Sequence, residues 1–150
     1  MQIYVNKLRE NAILPTHGSE AAAGYDLYAC AADGMSNSQV FTVYPHKTTY
    51  IGTGLAMAIP EGYFGALFAR SGLASEEGLR PANCVGVIDS DYRGEIKVAM
   101  HNDTEELHIV SPNDRIAQLV ILPCFMAEFV EGLLSATERG SGGFGSTGKA

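Results

Sequence analysis

Alternation with a period of two constrains this chain more than anything else in it. In GEIKVAMHN, residues 94–102, Ile96, Val98 and Met100 alternate with Glu95, Lys97 and His101. Side chains on a strand point to opposite faces in turn, so the pattern reads as a half-buried strand. FTVY, TTYIGTGLAMAI, GYFGALFA, ELHIV and RIAQLVIL are also rich in β-branched and aromatic residues, which suit a pleated surface. Turn formers separate these runs: Asp33-Gly34, Pro60-Glu61-Gly62, Asn102-Asp103 and Pro112-Asn113-Asp114. Strands recurring about every ten residues point to an all-β sandwich, jelly roll or barrel. One helix is predicted, SGLASEEG at residues 71–78, of one or two turns. GLAMAIP reads as core, and Glu76, Glu77, Glu105 and Glu106 as solvated charge.

With 150 residues the chain suits one domain with a real core. Its net charge of −7 provides no basic field for a nucleic-acid polymer, though a local arginine cluster could still meet a small anion. Cys30, Cys84 and Cys124 have no paired spacing and read as reduced thiols of a cytoplasmic protein. The start, MQIYVNKL, is not a basic segment followed by an apolar one, so no signal peptide is expected. No apolar run approaches membrane-spanning length. The four histidines lie far apart, without zinc-ligand spacing.

Five stretches are odder than strands require. AAAGYDLYA places Asp26 at a strand entrance. In ARSGLA, Arg70 and Ser71 end an apolar strand and Gly72 opens the helix, with Ser71 a natural N-cap. The same geometry would turn a hydroxyl, a guanidinium and free amides toward one anion. NCVGVIDSDYRGEI, residues 83–96, reads as a β-hairpin with Asp89 at a strand end, partly desolvated, where a carboxylate can act as a general base. In PNDRIAQL, strict alternation puts Arg115, Ala117 and Leu119 on one face and Ile116, Gln118 and Val120 on the other. A polar group thus falls where core is expected, and it needs partners or a ligand. The fifth stretch is the glycine-rich end, GSGGFGSTGKA. It contains G-x-G-x-x-G and nearly a P-loop, but no helix follows to carry a phosphate, so neither motif holds as written. Its glycines still allow close backbone approach to a phosphate.

In order, AAGYDL (22–27), RSG (70–72), GVIDSDYRGE (86–95), RIAQL (115–119) and RGSGGFGSTG (139–148) resemble the five motifs of the trimeric dUTPase family. Ala69 and Asn113 are looser matches, and EEGLRPAN is particular to this chain. The resemblance implies a jelly-roll subunit, residues 1–138, and a flexible glycine-rich C-terminal lid, residues 139–150. It implies a homotrimer with active sites shared between subunits, and hydrolysis of dUTP to dUMP and pyrophosphate with Mg2+. That activity would limit uracil in DNA and supply dUMP for dTMP synthesis.

The resemblance also assigns roles. Asp89 would activate a water aimed at the α-phosphorus. Ser71 and the Gly72 amide would hold phosphate oxygens, Gln118 would lie near the α-phosphate, and Arg70 and Arg139 would hold the γ end. Backbone groups at Val87, Ile88 and Lys97, with Asn83, would read the uracil edge, and Tyr92 would exclude a 2′-hydroxyl. In the lid, Phe144 would stack on the base, Ser146 and Thr147 would hydrogen-bond phosphates, and Gly145 would also bind the substrate. Magnesium would be held by the triphosphate and waters, with Asp26 structural or acting through water, and Arg115 bracing a subunit junction. A dCTP deaminase of the same superfamily, a nucleotide-binding regulatory switch and a purely structural β-trimer stay open beside this reading. The deaminase would need a catalytic Glu near the base.

Overall fold

The computed structural model describes residues 1–31 and 40–143. The predicted turn at Asp33-Gly34 lies outside the described residues. Twelve short strands and one helix follow in order: β1 Tyr4–Lys7, β2 Thr16–His17, β3 Tyr25–Tyr28, β4 Phe41–Val43, β5 Thr48–Gly52, β6 Leu55–Ala58, β7 Tyr63–Phe68, α1 Ser71–Glu76, β8 Leu79–Pro81, β9 Gly86–Ile88, β10 Lys97–Asn102, β11 His108–Val110 and β12 Arg115–Pro123. The described strands form a five-stranded sheet β2-β3-β12-β7-β9, a three-stranded sheet β5-β10-β8, and the pairs β1-β6 and β11-β4. Apart from β2 and β3, the neighbouring strands are non-sequential, as suits a jelly-roll-like fold.

Two buried clusters fill the interior. Leu27, Leu55, Met57, Leu67, Ile88, Ile96 and Leu119 belong to one. Val43, Ile51, Leu79, Val98, Met100, Val110, Ile116 and Ala117 belong to the other. Ile96, Val98 and Met100 are buried at alternate positions, as their period predicts. GLAMAIP supplies Leu55, Met57 and Ile59 to the core. The turns at Pro60-Glu61-Gly62 and Pro112-Asn113-Asp114 form with Gly62 at φ 82° and Asn113 at φ 72°, the left-handed backbone that turn residues tolerate. Asn102, fully buried, donates to the carbonyls of Val43 and Glu106 and accepts from the Thr104 amide, so it ties β10 to two neighbouring segments.

Three expectations need correction. TTYIGTGLAMAI is two strands in different sheets, split at Thr53-Gly54. Gly54 has φ 68°, and a Cβ there would stand 2.7 Å from Cys30 Sγ, so the backbone must bend where no side chain fits. Residues 83–96 do not form a hairpin either: β9 pairs with β7, and β10 with β5 and β8. The apolar residues on both sides serve different sheets, so the stretch between them is a crossover. Third, β12 carries a bulge between Arg115 and Ala117. Both Ile116 and Ala117 are therefore buried, and Arg115 does not share a face with Ala117 and Leu119. A bulge puts one extra residue in a strand and breaks strict alternation.

The last described strand ends at Pro123. Beyond Cys124 the chain has no strand or helix as far as residue 137, and Phe125, Met126, Phe129, Val130, Leu133 and Leu134 are all exposed.

Candidate active site

Three of the five sequence segments meet on the five-stranded sheet. In β12, Gln118 pairs across to Asp26 of β3 on one side and Phe68 of β7 on the other. A Cβ at Gly24 would stand 3.3 Å from the Gln118 Cβ, so the glycine leaves room for that side chain. Asp26 is 3% exposed. Arg70 Nε donates to its Oδ1 at 3.1 Å and Arg115 Nη1 to its Oδ2 at 3.3 Å. Arg70 Nη1 also reaches the Arg115 carbonyl at 3.4 Å. A buried carboxylate requires such partners, and here both oxygens have a cation. Gln118 is half-buried and makes no side-chain hydrogen bond to another described residue.

Ser71 is not the N-cap. Arg70 holds that position in extended backbone with no side-chain cap, and Ser71 is the first helical residue. The Arg70 side chain reaches away from the helix to Asp26 on β3. Ser71 and Gly72 are exposed, and the space over Gly72 is open.

The fourth segment lines a separate cavity of about 360 Å³. Its walls include Asn83, Val87, Ile88, Asp89, Tyr92 and Lys97, together with Tyr50, Leu67, Gly86, Glu95 and Ile96. β9 is an edge strand, so one row of its backbone groups faces away from β7 and is open to a ligand. The Ile88 side chain is buried in the core; its main chain is what the cavity can use. Tyr92 Oη donates to the Glu95 carbonyl at 3.0 Å. Asp89 follows β9 directly and is exposed, where partial desolvation was expected. The crossover turns outward after Ile88, and among the described residues nothing covers the carboxylate.

Glu95 is unlike its neighbours on the predicted strand. It precedes β10, and its side chain is 11% exposed. Arg9 Nη1 donates to its Oε1, Arg9 Nη2 to its Oε2 at 3.2 Å, and the Gly54 amide to Oε1 at 2.9 Å. Burial alone pushes the Glu95 carboxyl up. The Arg9 hydrogen bond, the Gly54 amide and the charges of Arg9 and Lys97 outweigh that and hold it below its ordinary value. The local sequence gives no signal of this, because Arg9 lies 86 residues away.

Among the described residues of the chain, the two groups do not meet. Ile88 pairs with Gly65, so Asp89 lies beside Phe64. Arg70 follows about six residues later, roughly 20 Å along an extended chain at ~3.3 Å per residue. At the C-terminal end, Arg139 Nε donates to the Gly142 carbonyl at 2.9 Å, so it closes its own turn. Phe144, Gly145, Ser146 and Thr147 lie outside the described residues.

A family model described as dUTPase matches residues 10–148. The chain belongs to the dUTPase family. A deoxyuridine 5'-triphosphate nucleotidohydrolase of Desulfitobacterium hafniense (strain DSM 10664 / DCB-2) is 52% identical over 137 residues, covering 90% of this chain and 87% of that protein. The solved structure of the Staphylococcus bacteriophage 80alpha dUTPase with dUPNHPP is similar at TM-score 0.79 and 31% identity, with 98% of both chains covered. A mutant dUTPase from phage phi11 of S. aureus matches at TM-score 0.75 and 26% identity, over 88% of this chain and 97% of that one, and is described with a structural Mg(II) ion.

Magnesium finds no ready set of protein ligands among the described residues. Among the described residues no three His, Cys, Asp or Glu side chains come together, and both Asp26 oxygens are taken by guanidinium groups. These donors do not fit a resident metal cage.

Proposed function

We propose that this chain hydrolyses dUTP to dUMP and pyrophosphate, with Asp89 as the general base. The observation that carries this reading is the cavity of about 360 Å³, bounded by an edge strand and with Asp89 among its walls. Open backbone groups at Val87, Ile88 and Lys97, with Asn83, suit the edge of a uracil ring. A cytosine in the same slot would leave polar groups unpaired, which rejects it strongly. Tyr92 would stand against the deoxyribose.

Asp89 would take a proton from a water as that water attacks the α-phosphorus. The α–β bridging P–O bond breaks, and pyrophosphate leaves. Little covalent chemistry falls to the protein; positioning and charge neutralisation do the rest. Ser71 and the Gly72 amide would hold phosphate oxygens beside Gln118. Magnesium is read as part of the substrate, arriving on the triphosphate, in keeping with its reluctance to shed water.

The separation of Asp89 from Arg70 along β7 supports shared sites, in which one subunit contributes the base cavity and its neighbour the phosphate groups. The exposed apolar arm supports the same reading, because so many bare side chains on one segment call for a partner surface. We read that partner as another subunit of a homotrimer, and residues 139–150 as a lid closing from it. The cytoplasm is the proposed location.

Subunit mixing is the test. Asp89→Asn and Arg70→Ala should each lose at least about a hundredfold in turnover. Refolded together in equal amounts, they should regain about a quarter of wild-type activity, since one site in four pairs an intact Asp89 with an intact Arg70 across a two-chain junction. No recovery in a mixture of proven trimeric mass would exclude shared sites. Wild-type protein releasing no pyrophosphate from dUTP, or releasing ammonia from dCTP, would overturn the activity itself.

A further inference from the structure

We propose that Arg9 and Glu95 act as a clamp that sets the width of the base cavity, making both of them positioning residues for base selectivity. The inference rests on the base-cavity reading above. Two distant segments and one near neighbour converge on the Glu95 carboxylate: Arg9 from just beyond β1, the Gly54 amide from the β5–β6 turn, and Lys97, two residues on in β10, whose Nζ lies 3.7 Å from Oε2. β5 sits directly on the carboxylate, for a Cβ at Gly52 would stand 2.3 Å from Oε1. The main chain of Glu95 does a second job by accepting the Tyr92 hydroxyl.

Glu95 is therefore the fixed end of the crossover between β9 and β10, and it lines the cavity itself. Asp89 stands at the crossover's other end. A carboxylate held by a two-pronged guanidinium and a backbone amide is poorly placed to shuttle protons. This separates it from the catalytic Glu that a deaminase would need near the base. What it does control is where the crossover lies relative to β5 and β10, and hence the gap between them and β9.

A buried ion pair contributes little net stability compared with a well-packed apolar pair. Its value here is geometric. Thymine exceeds uracil by one methyl group, and a pocket discriminates a single methyl or methylene by about 10–200-fold at best. A small slackening of the gap forfeits most of that.

The experiment measures kcat and KM for dUTP and dTTP in wild type, Arg9→Ala, Arg9→Lys, Glu95→Gln and the double variant Arg9→Ala/Glu95→Gln, with trimer mass and melting followed alongside. Arg9→Ala and Glu95→Gln should each lower the dUTP:dTTP ratio of kcat/KM by about tenfold, chiefly through KM for dUTP. The double variant should be no worse than the worse single variant, as for two residues acting as one unit. Arg9→Lys keeps the charge without the fork and should fall between. A lowered melting temperature with a selectivity ratio within about twofold of wild type would reduce the pair to a structural one and overturn the inference. If Arg9→Ala and Glu95→Gln fail to fold, Arg9→Lys decides alone: an unmoved ratio overturns the clamp. Wild-type protein without dUTP hydrolysis would instead overturn the reading beneath it.

Discussion

Replacing Asp26 by asparagine tests how the phosphate side of the site is held together. The side chain is 4% exposed, and it receives hydrogen bonds from Arg70 and Arg115, whose side chains are 25% and 50% exposed. Removing one member of a fully buried ion pair costs about 3–5 kcal/mol, because the other charge is left uncompensated. Here the guanidinium groups keep part of their solvent, and Arg115 is half open, so the penalty is cut to about 2–3 kcal/mol. Asparagine preserves the shape and one acceptor, but its amide turns toward a cation and the two arginines repel. At about 2–4 °C per kcal/mol for a chain of this size, melting should fall by roughly 4–12 °C. The assay is thermal and urea unfolding followed by circular dichroism, at one fixed protein concentration because association adds to apparent stability. Arg70, released from Asp26, should also raise KM for dUTP. A variant within about 0.5 kcal/mol of wild type, the range of an ordinary surface change, would show that Asp26 does not organise these arginines.

Other substitutions probe the cavity and the core. A Cβ at Gly94 would stand 2.5 Å from Tyr92 Oη. Gly94→Ala should therefore displace the ring, and hydrolysis of UTP should rise relative to dUTP; an unchanged ratio would remove Tyr92 from ribose discrimination. At Gly65 a Cβ would meet Leu119 Cδ1 at 2.9 Å and Ile59 Cδ1 at 3.0 Å, so Gly65→Ala should destabilise by about 1–3 kcal/mol through overpacking, read by urea titration. The Glu95 carboxyl is held below its ordinary value of 4.5, so its stabilising contribution is complete above that pH and is lost as pH falls through the lower folded value. Glu95→Gln should lack that component, giving a shallower loss of stability on acidification below about pH 4.5; equal slopes would contradict the ion pair.

Sequence reading succeeded where the signal was local. The alternation in residues 94–102, the short helix after Arg70 and the left-handed turn at Asn113 each depend on a few neighbouring residues. It failed where a residue's surroundings come from far along the chain. Glu95 looks like the solvent-facing member of an alternating strand, yet Arg9 and Gly54 bury it. Asp26 looks like a turn carboxylate until β12 and β7 bring two arginines against it. The supposed hairpin failed for a related reason. Two apolar runs joined by a turn pair with each other only if both belong to one sheet, and Val87 and Val98 are spoken for by β7 and β5. Topology decides that, and no local pattern records it.

The proposed active site is legible in the sequence as a set of segments and not as a place. Each segment carries its own chemistry: an edge strand ending in Asp89, an open glycine after Ser71, and a glutamine beside Gly24 in need of a partner. Their assembly depends on distance. Antiparallel pairing puts Asp89 beside one end of β7 and Arg70 past the other, and a strand is stiff, so no side-chain rotation closes a gap of roughly 20 Å at ~3.3 Å per residue. Under the shared-site proposal a second copy of the chain closes it, by bringing the opposite end of its own β7 to the first copy's cavity. The proposed division of the site between subunits accords with β7 lying between its two halves.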